Sequence, residues 1–306
     1  YGNFMLIKMQ VGEQDRGELQ VNVTDSDNAP IRDARVTISE PETAINPNSP
    51  IERLETDVSG QTQIVDLNTP PLEYILNENN ENMPYANYNI QIEAPGYETE
   101  NISNVEILPD SLSLQDVRMR RREGEQVENI DIDPHTLYAE YPEKIPEDEI
   151  KDVNEPGEIV LSRVVIPEYV VVHNGTPSSN ARDYYVTYKD YIKNVASSEI
   201  YATWPRATIE ANVLAIMSFT LNRVYTEWYR NKGYDFTITS STAYDQKWIY
   251  GRNIFQSIDE VVDEIFNQYL SRPDVRQPIL TQYCDGKRVT CPNWLSQWGS
   301  CNLGEQ

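Results

Sequence analysis

Histidine is almost absent from this chain. Two occur in 306 residues, His135 and His173. A Ser-His-Asp or Cys-His apparatus needs an imidazole beside its nucleophile, and neither histidine stands in such a context. A His-rich metal site is excluded. Cysteine is scarce too: Cys284, Cys291 and Cys301 all fall near the C-terminal end, without CxxC spacing. An odd count leaves at least one thiol free or joined to another chain. Basic residues are few, 25 Lys and Arg against 49 Asp and Glu, for a net charge of −24. Such a surface repels polyanions, so no nucleic acid and no membrane surface is expected as a partner. No run of eighteen apolar residues occurs, so no membrane span is expected. The opening YGNFMLIKMQ lacks the build of a signal peptide.

What is present reads as a folded acidic protein, because the acids are spread among periodic apolar residues that make up 39% of the chain. The length suits two domains. The expected fold is multidomain, an N-terminal all-β sandwich followed by a C-terminal α+β domain with a buried long helix. Residues 1–120 alternate at period two: Leu19, Val21 and Val23, then Val36 and Ile38, then Tyr88, Ile90 and Ile92. Turn signals such as DSDNAP, DVSGQ and APGYE separate these runs. Together they predict an antiparallel sandwich of about seven strands. Residues 121–157 are rich in Pro and charge and read as a linker that wraps or spaces two domains. Arg118, Arg120, Arg121 and Arg122 before it form a basic cluster, either a solvated strand end or a protease-sensitive site.

Residues 158–306 read as the second domain. GEIVLSRVVIPEYVVVHNG is strand-like, with His173 a structural residue at its end. A helix then carries Ile192, Val195, Ala196 and Glu199 at i, i+3, i+4 and i+7. A second helix is expected from Pro205 to about Tyr229, apolar nearly all round and therefore buried. A third is expected to open with a Ser257-to-Glu260 capping box and to cover a sheet. Glu199 sits on the apolar line of its helix, where desolvation raises a carboxyl's pKa and suits it to donate a proton. Tyr201 and Trp204 follow, and aromatic faces beside an acid suit the apolar C–H faces of sugars. A helix-end Glu paired with Arg or solvent is the bland alternative.

The phrases NAPIRDARVTI, TDVSGQTQIVDL and YNIQIEAPGYET resemble the transthyretin-like, carboxypeptidase-regulatory type of sandwich, which implies an accessory domain without catalysis. YIKNVASSEIYATWPRATIEANVLAIMSFTLN resembles the signature of the stage II sporulation protein D domain of peptidoglycan lytic transglycosylases. DQKWIYGRN is similar to that family's Gln-to-Gly element, and LSQWGS to its Ser-Gln-Trp-Gly element. The order of parts is similar to the clostridial spore cortex-lytic enzymes. That resemblance implies a germination enzyme located in the spore cortex or coat, outside the spore core. It further implies a zymogen cut by a serine protease near the linker, with more chain beyond Gln306.

The resemblance assigns Glu199 as catalytic acid and then base. It places Tyr201, Trp204, Gln246, Tyr250, Asp285, Ser296 and Gln297 at the substrate, glycan strands of peptidoglycan, with no cofactor and no metal. Asp285 is the second-choice acid, and Trp298 is equally a packing residue. Two departures stand out. Met217, Ser218 and Phe219 replace an Arg-Thr-Tyr of the broader family, and YCDGKRVTC replaces a His-containing segment. The Cys284–Cys291 stretch is left as a disulfide, a structural metal site or free thiols. A hydrolytic muramidase, or a non-catalytic peptidoglycan-binding or coat module, are the competing readings.

Overall fold

The computed structural model describes residues 14–124, 126–147 and 160–306. The N-terminal part forms β1 (Asp15–Asp25), β2 (Arg35–Ser39), β3 (Pro50–Glu55), β4 (Val65–Thr69), the one-turn α1 (Glu73–Leu76), β5 (Ala86–Glu93), β6 (Thr99–Ile107), β7 (Leu112–Met119) and β8 (Val127–Asp131). Two sheets face each other. One includes β7-β1-β4, the other runs β3-β2-β5-β6-β8. The alternating residues of the sequence face inward, and Leu19, Val21, Val23, Val36, Ile38 and Ile92 have no exposure. The antiparallel expectation is corrected at two places: β1 pairs with β7, and β6 with β8, in parallel. Alternation fixes which face is buried, not strand direction, which is set by the connections.

The C-terminal part forms β9 (Tyr169–His173), β10 (Asp183–Thr187), α2 (Tyr188–Glu199), α3 (Arg206–Tyr225), β11 (Ile238–Thr239), β12 (Ile254–Phe255), α4 (Gln256–Ile265), β13 (Tyr283–Cys284), β14 (Leu295–Ser296) and α5 (Gln297–Gly304). Thr187 caps α2, accepting from the Asp190 N–H at 3.3 Å. Helix α3 is the buried helix expected, but it ends at Tyr225, before a left-handed Glu227 with φ 46°. The capping box at α4 does not form. The Ser257 hydroxyl instead donates to the Ala202 carbonyl at 2.8 Å. Residues 160–168 form no strand, and Pro167 among them has no N–H to give a ladder. His173 is structural as expected. It stacks on Phe236 at 4.5 Å, and its Nδ1 lies 2.6 Å from Asp183.

The two parts are joined through one sheet. Strand β12 adds to the sandwich by pairing antiparallel with β7, so that its full order is β12-β7-β1-β4. Beside it the Asn253 side chain makes a double hydrogen bond with the backbone of Glu106. It donates to the carbonyl at 2.7 Å and accepts from the N–H at 3.3 Å. Buried Arg252 reaches the Glu106 carboxylate at 3.5 Å and the Ser198 hydroxyl at 3.2 Å. Gly251 has φ 74°, and a Cβ there would lie 2.7 Å from Ile130. The cores interlock: Ile249 belongs to the sandwich core, while Ile75, Tyr85 and Leu108 belong to the helical one.

The expected linker is not a spacer where it is described. Residues 127–131 are β8, and residues 132–147 lie along the helical part. The Thr136 N–H donates to Ser198 at 3.1 Å, and the Ile145 N–H to Ala243 at 2.7 Å. Residues 148–159, the rest of the linker and the start of the second expected domain, lie outside the described residues, as does the opening segment. The Arg cluster is a strand end: Arg118 and the Arg122 N–H bond Asn28 and the Gly96 carbonyl, and Arg120 pairs with Glu128 at 3.3 Å. Among the described residues no helix is long and apolar enough to cross a membrane.

Glu100 on β6 lies opposite Glu128 on β8. Burial first, then the Glu128 charge, pushes its carboxyl up to about 7. The unfolded chain loses this proton near pH 4.5 while the folded chain keeps it to about 7. The stability it contributes is therefore present at low pH and lost as pH rises through that window. Glu100→Gln is expected to leave urea stability at pH 4 unchanged and to raise it at pH 8 by on the order of 1 kcal/mol. An equal change at both pH values would mean that packing, not charge, is responsible.

Candidate active site

Glu199 is the last residue of α2 and has no solvent exposure. Its helix turns the whole line Ile192, Val195, Ala196 and Glu199 inward, as the spacing predicts. A carboxylate taken out of water needs donors. Oε1 accepts from the Lys247 backbone N–H at 2.8 Å and from the Tyr283 hydroxyl at 3.4 Å. Oε2 accepts from the Gln297 amide at 3.2 Å. The three donors come from three segments, and these include the DQKWIYGRN and LSQWGS elements.

Three titratable side chains lie within electrostatic range of Glu199. Burial and the Glu199 charge push the phenols of Tyr283 and Tyr141 well above tyrosine's ordinary range, so both stay protonated. Desolvation pushes the Lys144 ammonium down, while Glu199 and Asp245 act to hold its proton. Its Nζ donates to the Asp245 carbonyl at 3.3 Å and lies 5.1 Å from the centre of the Tyr283 ring. Tyr141 and Lys144 belong to the stretch read as linker.

Asp245 anchors the segment that carries Lys247. One carboxylate oxygen accepts from Arg223 Nε at 2.7 Å. The other accepts from the Tyr229 hydroxyl at 2.6 Å and from the Thr239 N–H and hydroxyl at 2.9 and 2.6 Å. Arg223 is itself buried and reaches Glu147 at 2.6 Å. Both oxygens of Asp245 are matched, the condition under which a buried charge is tolerated, while Arg223 Nη1 has no hydrogen-bond partner.

The other expected site residues divide. Gln297 touches Glu199. Gln246 does not; it is buried, accepts from Tyr191 and Thr220 at 2.9 Å each, and donates to the Ile216 carbonyl at 3.1 Å. It ties α2 to α3 and has no face left for a sugar. Asp285 is corrected as a spare acid. Its oxygens accept from the N–H groups of Lys287, Arg288 and Val289 at 3.0–3.1 Å and face Arg288 Nε at 3.3 Å. It organises a turn. Ser296 caps α5, accepting from the Gly299 N–H at 3.0 Å. Tyr250 stacks on Tyr184 at 4.7 Å, and its hydroxyl bonds Glu128 of the sandwich at 3.3 Å.

Tyr201, Trp204 and Trp298 form one buried aromatic cluster, with Trp204 and Trp298 5.0 Å apart. Tyr201 stacks at 4.5 Å on His135, another linker residue. Burial holds His135 down to about 3, so the ring is neutral. It donates from Nε2 to the Ile200 carbonyl and accepts at Nδ1 from the Leu137 N–H. Tyr201 and Trp298 also line a cavity of 260 Å³ with Tyr138, Lys287 and Arg288, walled on its far side by residues 74–84 of the sandwich. Trp204 stays in the core.

Cys284 and Cys291 form a disulfide with Cα atoms 5.7 Å apart, closing the Asp285 turn. Among the described residues no group of three His, Cys, Asp or Glu is placed to hold a metal. Cys301 is a buried free thiol, pushed up to about 12 by burial. Sequence reasoning missed Lys247, whose contact is a backbone one, and Tyr283, which opens the YCDGKRVTC segment beside Cys284. Nothing in the Pro- and charge-rich stretch marked Tyr141 or Lys144.

No protein-family model and no curated protein matches this chain. Solved structures similar to part of it include the catechol 1,2-dioxygenase of Acinetobacter radioresistens, at 14% identity and a TM-score of 0.26 over 38% of this chain and 58% of that one. The Bacillus anthracis TIE protein gives 17% identity and a TM-score of 0.25 over 35% and 18% of the two chains. The minor pilin GBS52 of Streptococcus agalactiae gives 15% identity and a TM-score of 0.24 over 37% and 48%. The chain spans less than two thirds of each, and likeness at this level bears on no function.

Asp285→Asn removes one acceptor oxygen and the charge opposite Arg288. It is expected to lower urea stability by about 1–3 kcal/mol, with any activity following the folded fraction. Unchanged stability with all activity gone would restore Asp285 as an acid.

Proposed function

We propose that this chain is a lytic transglycosylase acting on peptidoglycan glycan strands, a germination enzyme of the spore cortex-lytic SleC type that works outside the spore core. The observation that carries the reading is the meeting of three separated sequence elements on one buried carboxylate, Glu199. No second free carboxylate stands with it among those described: Asp285 and Asp245 are consumed by their own partners. A glycoside hydrolase ordinarily needs two carboxyl groups. A transglycosylase manages with one. The Glu199 carboxylic acid gives its proton to the glycosidic oxygen as the anomeric C–O bond breaks. The muramic C6 hydroxyl then bonds to the anomeric carbon and its proton returns to Glu199, leaving a 1,6-anhydro end. Lys247, Tyr283 and Gln297 hold the carboxyl in place.

The zymogen part of the reading is supported by what lies over the site. Glu199 has no exposure, and Tyr141 and Lys144 of the 132–147 stretch sit in its electrostatic range. This strap is the part of the N-terminal half that comes nearest the acid, and it makes the proposed cover. The partner it requires is a protease, and the expected nicking region beyond the Arg cluster runs into residues 148–159, outside the described residues.

Mass spectrometry of soluble fragments from spore cortex treated with activated protein tests the chemistry. Anhydro-muramic ends are expected from the wild type and a loss of at least a hundredfold from Glu199→Gln, whose amide cannot carry the proton. Reducing ends instead would mean a hydrolase, and bound but uncut glycan a binding module. Cleavage of the folded chain tests the cover. A chain cut within residues 148–159 that still holds its sandwich and strap is expected to stay inactive, and to gain activity once they are separated from it. Full activity in the cut but unseparated chain would sink the strap as inhibitor.

A further inference from the structure

The solvent face of the five-stranded sheet is unlike an ordinary solvated face. Its centre is a row of carboxamides contributed by adjacent strands: Asn89 and Gln91 on β5, Asn101 on β6 and Asn129 on β8. Gln91 Nε2 donates to Asn101 Oδ1 at 2.9 Å, and Asn101 Nδ2 donates to Asn129 Oδ1 at 3.0 Å. The β2–β3 connection closes one side, where Asn89 donates to Asn48 at 3.3 Å. The face is concave and open to solvent on one side, and the groove over it has a volume of 840 Å³, within the size range of ligand sites. Arg35 and Arg53 stand at its end, Arg35 beside Glu93 at 3.8 Å. In a chain of net charge −24, this is a nearly neutral groove.

We propose that this face binds an N-acetylated glycan. It rests on the cell-wall reading above for the choice of ligand alone. A side-chain amide has two donor protons and an acceptor oxygen. Each link of the row uses one proton of its NH2 and leaves the second for a ligand. The acetamido group of an N-acetyl sugar presents the complementary N–H and C=O, and sugar hydroxyls take either role. A row of amides across neighbouring strands, about 4.8 Å apart, meets a polymer that repeats such groups along its length. No aromatic ring lines the cavity, so recognition runs through hydrogen bonds. The affinity for one short oligomer is therefore weak, with Kd near about 1 mM, and repetition along a wall strand raises the avidity. The role is to hold the uncut chain on its polymer.

The test titrates the intact chain with chitotetraose, using cellotetraose as the sugar without acetamido groups. NMR follows the side-chain NH2 signals of Gln91, Asn101 and Asn129. Saturable shifts are expected with chitotetraose, and at least tenfold weaker ones with cellotetraose. Gln91→Thr with Asn101→Thr keeps strand-forming residues and is expected to weaken binding at least tenfold at an unchanged thermal midpoint. Asn129→Thr alone, at the sheet edge, gives a severalfold loss. Absent shifts, equal response to both sugars, or binding untouched by the substitutions overturns the proposal. Cortex lysis without binding at this face would leave the enzyme reading standing. Binding here without lysis by activated protein would do the reverse.

Discussion

A carboxylate with no access to water has to be supplied with donors by the protein, and at Glu199 that requirement reaches through the whole C-terminal half. Leaving one such oxygen unmatched costs about 1–3 kcal/mol or more. The end of α2, the segment after β11, β13 and the start of α5 must therefore all arrive at one point. Much of the remaining polar interior serves that convergence. Gln246 fixes α2 against α3, Asp245 pins the segment that offers the Lys247 N–H, and Asp285 with the Cys284–Cys291 bridge shapes the turn between β13 and β14. These residues act on the site through position. Their burial and full hydrogen bonding mark them as supports rather than as groups waiting for substrate.

How much of this was legible in the sequence depends on which physical signal each part carries. The sandwich strands alternate at period two, so Leu19, Val21, Val36 and Ile92 announced their burial. The 3.6-residue period likewise put Glu199 on the inner line of α2. Strand direction has no such signature, and the parallel pairing of β1 with β7 was missed. Polar site residues have no period at all. Gln246, Asp285 and Gln297 looked alike as candidates, yet one binds helices together, one builds a turn and one meets the acid. For Gln246 and Gln297 the role depends on contacts with residues tens of positions away. Lys247 donates through its backbone, where side-chain identity says nothing.

The stretch after β8 was legible only as a linker that wraps or spaces. Pro and charge left both open, because a segment with little apolar periodicity has little to bury by itself. Its buried residues are instead isolated anchors placed in a surface made elsewhere: His135 against Tyr201, Leu137 and Tyr141 in the interior, Lys144 over Tyr283. Anchors of this kind are read from the pockets that receive them.

The same geometry constrains how the proposed activation proceeds. A cut in the chain beyond residue 147 breaks one covalent bond and leaves the rest of the interface intact. Strand β12 still pairs with β7, Asn253 still bridges to Glu106, and Ile249 still lies in the sandwich core. Removal of the strap therefore requires that this seam open too. Opening exposes Ile249 and strips Ile75, Tyr85 and Leu108 from the helical core. It also separates Arg252 from Glu106, whose carboxyl burial pushes up to about 7. Near neutral pH the carboxyl is poised between its charged and neutral forms, so the pair contributes less than a fully charged one. The apolar contacts remain the larger barrier. A sandwich joined this closely acts as a folding partner of the helical half, whose core it completes, and loss of that partner is the step at which the released half must settle into its own packing.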